Sequence, residues 1–290
     1  AVPPIADRAV ARISVPEPIV SFQSRRRVLD LIAKGNLLGA WAVAEPLHGQ
    51  ETERAWTQVI EWLACFASSL PMPESCDIPV LTHKRMAVRA ALRVELALRA
   101  GDIPKAVHGT VAFFESALWD HLLDRFERTG MKHRGLEVLR IKPGVSEPSG
   151  PKLLRNDEPD EKKKRNCPFE RLDDGGYVFF EDGAGRFARD YVRSEKLKEL
   201  TDSIGKVRPL RNDVAHNEPT PALMADAASQ MRAASLWSSA NEFLSQPLIR
   251  EVLDELSIEN ADNLCDDLTE EVRARIVSIS RSSPGGAARQ

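Results

Sequence analysis

Leu210-Arg211-Asn212-Asp213-Val214-Ala215-His216-Asn217 is the stretch from which the rest of the chain is best read. Five polar or charged side chains fall within its last seven positions, with Pro209 before it and Pro219 after it. Arg211 and His216 are five residues apart, and on an uninterrupted helix about 140° of rotation would separate them. The two prolines therefore predict a helix end or break, with Asn212 or Asp213 capping a single turn, so that the Arg and the His converge.

The segments on either side have helical patterning. Upstream, Phe187, Tyr191, Leu197, Leu200, Ile204 and Val207 follow a 3.6-residue period from about Arg186, and Pro209 is read as its stop. Downstream, Thr220-Pro221 reads as an N-cap and a first-turn proline opening an Ala-rich helix through Ala227, Met231, Ala234, Trp237 and Phe243. Further back, Pro104 to about Arg128 is the longest clean helix, with Val107, Thr110, Val111, Phe114, Ala117, Leu118, His121 and Leu122 on one face.

Residues 131–185 change character, with five prolines, the run Glu161 to Arg165 and a glycine pair at 175–176. They read as a long polar insertion carrying one short strand or hairpin edge at Tyr177 to Phe180. Residues 22–101 read as short amphipathic helices, the first beginning near Ser24, that form a small helical domain. Within it, Ala33-Lys-Gly-Asn-Leu-Leu-Gly-Ala40 and Arg99-Ala-Gly-Asp-Ile-Pro-Lys-Ala106 resemble each other. They read as two helix–turn–helix corners using the same turn chemistry. Residues 1–21 read as a linker or extended lead-in, and 251–290 as one further helix, at Glu251 to Leu256, with a frayed tail from Ser280. The fold class expected is all-α, over about two domains.

Composition bounds the function. With 40 Lys+Arg against 43 Asp+Glu, the net charge of −3 excludes a strongly basic protein that coats duplexes. The 42% hydrophobic content suits a globular core, and apolar runs such as 37–44 fall well short of the ~18 residues that span a bilayer, so no membrane partner is expected. Cys65, Cys76, Cys167 and Cys265 form no C-x-x-C pair, which points away from a disulfide framework or zinc site and toward a reducing cytoplasm. The start, Ala1-Val2-Pro3-Pro4, has no signal-peptide pattern and is compatible with the cut end of a larger protein.

An Arg and a His at one point, with no carboxylate pair, metal cluster or Gly-rich phosphate loop, suit attack of an RNA 2′-hydroxyl on its neighbouring phosphate. That reaction needs neither metal nor protein nucleophile. It needs a group that titrates near neutrality to move a proton and a fixed cation for charge on the phosphorane oxygens. A side-chain amide such as that of Asn212 can orient the His or donate to a phosphate oxygen.

The string Arg211-Asn212-Asp213-Val214-Ala215-His216 resembles the R-x-x-x-x-H motif of the HEPN ribonuclease superfamily, including the polar residue that commonly follows the Arg. The order of a long helix at 104–128, an insertion, a helix at 186–208, the motif and a long helix from 220 is what that all-α fold implies. With a small helical domain ahead of Gly101-Asp102, Ala106 and Phe114-Glu115, the chain resembles the C-terminal part of the CRISPR-associated CARF-HEPN ribonucleases of type III systems. The resemblance implies a HEPN-like domain over 102–250, Arg211 as phosphate and transition-state contact, Asn212 as polar neighbour and His216 as acid/base. It further implies single-stranded RNA as substrate, a homodimer that builds the site from two copies of the motif, and no metal or cofactor. In that family a CARF domain binds cyclic oligoadenylate. No alternating strand and helix pattern precedes residue 22, so such an activator is expected to act only through a sensor outside this chain.

Other residues are ambiguous. Lys162, Lys163, Lys164 and Arg165 suit an RNA backbone or a solvated loop, and Arg25 to Arg27 are similar. Trp119 and Glu115 suit a dimer interface or a second core contact. His121 reads as a core group, and His48, His83, His108 and His133 have no metal-ligand spacing. The bland reading of the motif is a capped helix start with Arg211 paired to Asp213 or Glu218 and a solvated His216. A HEPN toxin of a toxin–antitoxin pair and a non-catalytic HEPN-like interaction module are the alternatives in function.

Overall fold

A computed structural model describes residues 17–146, 169–179, 194–238 and 242–278. Nine α-helices are described: α1 Glu17–Ala33, α2 Leu37–Ala44, α3 Arg54–Ala67, α4 Met86–Arg99, α5 Ile103–Arg125, α6 Glu195–His216, α7 Pro221–Ala233, α8 Pro247–Glu255 and α9 Leu264–Ser278. Between α5 and α6 lie four strands, β1 Phe126–His133, β2 Leu136–Ile141, β3 Phe169–Arg171 and β4 Tyr177–Phe179. None of the described helices is long and apolar enough to cross a membrane.

One hydrophobic core runs from Val28 and Ile32 in α1 to Val272 and Ile276 in α9, with Trp56, Phe66, Phe113, Trp237 and Phe243 among its largest buried side chains. The longest seam in it is α4 along α5, pinned at one end by Asp120. The Asp120 carboxylate accepts the Met86 and Ala87 amides at 3.1 and 2.8 Å, in the first turn of a helix whose own N-cap, Arg85, offers no side-chain bond.

The two corners do share their turn chemistry. Gly35 and Gly101 both sit at φ +71°, and the next residue caps the following helix, Asn36 Oδ1 accepting from the Gly39 amide and Asp102 Oδ1 from the Lys105 amide. Their surroundings differ. A Cβ at Gly35 would stand 2.1 Å from the Leu96 carbonyl oxygen, whereas the space at Gly101 is open. Gly101→Ala is therefore expected to cost only the left-handed backbone penalty, about 1–2 kcal/mol. Gly35→Ala should cost clearly more, because α2 must also move off α4. Urea denaturation of the two variants side by side checks this.

The structure corrects several expectations. The Ala-rich helix stops at Ala233 and does not reach Phe243, and the tail holds two helices, Pro247–Glu255 and Leu264–Ser278, where one at Glu251 to Leu256 is expected. The lead-in ends sooner than residue 21, because α1 begins at Glu17 with Pro18 in its first turn, where a missing N–H is no loss. The chain is mostly helical but not all-α. The helix expected to run to about Arg128 stops at Arg125, where Phe126 turns extended (φ −118°, ψ 155°) and starts an antiparallel sheet of order β1-β2-β4-β3. The single strand expected at Tyr177 is one of four. Leu139 pairs with Tyr177 and Phe169 with Phe179, and these with Leu122 and Phe126 form a second, smaller core under the insertion. Finally, Pro209 does not stop its helix. The buried positions Leu197, Leu200, Ser203, Ile204, Val207, Leu210 and Val214 run straight through it as one stripe. Gly205, whose carbonyl the proline ring crowds, has no neighbour within 4 Å of a built Cβ, so the helix can tilt there.

Candidate active site

The motif occupies the last two turns of α6. Leu210 and Val214 face the core and anchor these turns, which leaves Arg211, Asn212, Asp213, Ala215 and His216 exposed. Asn217 closes the helix: its backbone amide and its Nδ2 both donate to the Asp213 carbonyl, at 3.0 and 2.8 Å. Three residues later Thr220 Oγ1 accepts the Leu223 amide and opens α7 behind Pro221, as the sequence predicts.

A helix end does fall between Pro209 and Pro219, at His216, but it comes after the motif, and no break separates Arg211 from His216. Arg211 and His216 are about 7.5 Å apart along the axis and about 140° apart around it, and one copy of the chain does not aim them at one point. Asn212 and His216, four residues apart, share a face. Neither Arg211 nor His216 has a hydrogen bond or ion pair among the described residues, so the pairing of Arg211 with Asp213 or Glu218 is not formed. The motif is an exposed, unengaged cation and imidazole held on a rigid helix end.

A third polar group lies near Arg211. α5 and α6 pack antiparallel. At one end His121 on α5 lies 4.0 Å from Glu255, whose carboxylate also accepts the hydroxyl of Ser194, the α6 N-cap. At the other end His108 on α5 is half-buried and within electrostatic reach of Arg211. Burial first, and the Arg211 charge second, hold the His108 imidazole below its ordinary pKa. Metal-ligand spacing does not single out His108. The usable signal was topological, since an antiparallel α5–α6 pair sets the start of α5 against the end of α6.

The other candidates separate from this site. His121 is buried, with Nε2 unbonded and its pKa pushed down by burial, and it belongs to the core. Trp119 is partly buried beside the second core, with the Arg128 guanidinium 5.8 Å from its ring centroid, while Glu115 is exposed. Lys162, Lys163, Lys164 and Arg165 lie outside the described residues. No group of three His, Cys, Asp or Glu side chains placed to hold a metal ion occurs among the described residues.

No family model matches the sequence, and no curated protein matches it. Among solved structures the chain is similar to Enterococcus italicus Csm6 bound to cyclic hexa-2′-fluoro-hexa-dAMP, with a TM-score of 0.51 and 10% identity over 90% of the chain. The chain spans 59% of the length of that protein. At this identity the likeness is one of fold: the described helices and sheet make a Csm6-like arrangement.

Proposed function

We propose that this chain is a metal-independent endoribonuclease that cleaves single-stranded RNA at a site shared by two copies, acting in the cytoplasm as an antiviral effector of a type III CRISPR system. The observation that carries the reading is the pair of exposed, unengaged side chains Arg211 and His216 at the core-anchored end of α6, in a Csm6-like fold. In that pair the guanidinium serves as a fixed charge and the imidazole is the group able to move a proton.

The 2′-oxygen attacks the adjacent phosphorus as its proton leaves to a base, and the bond from phosphorus to the 5′-oxygen breaks as that oxygen takes a proton. The products are a 2′,3′-cyclic phosphate and a 5′-hydroxyl, with no water consumed. Arg211 neutralises the charge on the non-bridging oxygens, and His216 handles a proton. The continuous helix favours a homodimer in this role, because a second copy can place its own Arg211 and His216 opposite the first pair. The net charge of −3 assigns RNA capture to local positive potential at that seam. The cyclic hexanucleotide belongs to Csm6; here such an activator would act through a sensor outside the described residues.

The test is to incubate the purified chain with end-labelled single-stranded RNA in EDTA. The expected result is cleavage that EDTA does not affect, with 2′,3′-cyclic phosphate ends and a rate per chain that falls as dilution separates the copies. A requirement for metal, or 3′-hydroxyl ends, would rule out the mechanism. No cleavage of any RNA would leave the non-catalytic interaction module.

A further inference from the structure

The two Gly-Asn/Asp corners meet at a small cavity. It is lined by Asn36 and Leu38 of the first corner, Asp102 and Lys105 of the second, and Arg93 of α4 with Phe66 of α3. Its volume is about 90 Å³. A water needs about 10–15 Å³ of such space, so the cavity holds the oxygens of one phosphate group and not a whole nucleotide.

The polar wall is a set of donors. Arg93 spends one N–H, at Nε, on the Phe66 carbonyl at 2.9 Å, and Lys105 Nζ spends one on the Ala67 carbonyl at 2.9 Å. Both contacts serve the end of α3, and both leave the remaining N–H groups of the two cations uncommitted. Asn36 accepts the Gly39 amide through Oδ1, which leaves its Nδ2 to donate. The one carboxylate in the lining, Asp102, is turned to the Lys105 amide at 3.1 Å. No carboxylate pairs with Arg93 or Lys105 among the described residues.

We propose that this cavity binds a phosphate group, with Arg93 and Lys105 supplying the charge and Asn36 Nδ2 a neutral donor. A phosphate presents only acceptors to a wall of donors, and a planar guanidinium can meet two of its oxygens at once. The Arg93 guanidinium is also held in place before anything binds, 4.4 Å from the Phe66 ring centroid. Burial first, and the Arg89 charge second, hold that guanidinium below its ordinary pKa, as befits a half-buried cation with no anion beside it. The phosphate comes free in solution or as the end of a nucleotide whose sugar and base stay outside the cavity. Once bound, it joins the corner ahead of α2 to α4 and α5, so it should stabilise the folded chain in proportion to its occupancy.

The experiment is calorimetric titration of the chain with inorganic phosphate, uridine 5′-monophosphate and acetate, at constant ionic strength set with chloride, beside thermal melts in the same buffers. The variants are Lys105→Gln and Leu38→Glu, both at exposed positions, because replacing Arg93 would also uncover Phe66. The wild-type chain is expected to bind one phosphate saturably, to melt at a temperature that rises with phosphate, and to bind acetate more weakly. Lys105→Gln should weaken phosphate binding on the order of tenfold, and Leu38→Glu, which sets a carboxylate at the mouth, by at least as much. Both variants should melt like the wild type when phosphate is absent. Whichever of phosphate and the nucleotide binds more tightly identifies the source, and either result supports the site. Absence of saturable binding of both, acetate bound as tightly as phosphate, or undiminished binding by the two variants would overturn the proposal. None of these outcomes depends on RNA cleavage.

Discussion

Arg211→Ala is expected to lower RNA cleavage on the order of 10³-fold while changing stability by no more than about 0.5 kcal/mol. The two halves of that expectation have one cause. Arg211 is exposed and makes no hydrogen bond or ion pair among the described residues, so its removal breaks nothing in the folded chain. Its absence is felt only when a phosphate gains charge beside it. Single-turnover cleavage and a urea melt on the same preparation check both halves. If the arginine were structural, the melt would move with the rate. His216→Ala should behave in the same way, because His216 is equally exposed and unengaged at the helix end.

The largest stability effect is expected at Glu95. This carboxylate is 2% exposed, yet it accepts the Phe243 and Leu244 amides at 2.8 and 3.1 Å and the Arg99 Nε at 2.9 Å. Arg99 in turn reaches Asp266 at 2.8 Å. One side chain on α4 thereby fixes the segment that leads into α8 and ties the start of α9 to the same helix. Glu95→Ala strands two buried amides and takes one of its two carboxylate partners from Arg99, and the expected loss is about 3–5 kcal/mol. Glu95→Gln should lose less, since one oxygen accepts both amides and the Gln carbonyl can keep them, while its NH2 opposes the Arg99 Nε–H. Urea midpoints with unchanged m-values would show these losses as changes in stability of the folded state.

Glu95 also marks where reading the sequence ran out. Met86, Ala90, Leu92 and Leu96 are visible as an apolar stripe, but a carboxylate within that helix looks solvated until its partners, nearly 150 residues away, are known. Local signals did better. Pro104 and Thr220-Pro221 mark true helix starts, and the two Gly-Asn/Asp corners are real turns with the same caps. Pro209 misled because the rule for proline outweighed the stripe, although Leu210 and Val214 carry the 3.6-residue period straight past it. Of the sheet only β4 is legible, as the strand expected at Tyr177 to Phe180; β1 exposes most of its residues and β3 is three residues long, too short for alternation to be seen. In the site, the residue types and exposure of Arg211, Asn212 and His216 were legible. Their separation around an unbroken helix was not, nor was the neighbour His108, which only the packing of α5 on α6 reveals.

The sheet is spliced into the chain where α5 ends, and the motif hangs at the opposite end of the α5–α6 pair. Seventeen residues of α5 separate His108 from Arg125, about 25 Å of helix. β2 and β3, the strands on either side of residues 147–168, both belong to this sheet and its aromatic core. The candidate site and the sheet therefore stand at opposite ends of one helix pair. A label or an added module at the sheet is expected to leave the spacing of Arg211 and His216 unchanged.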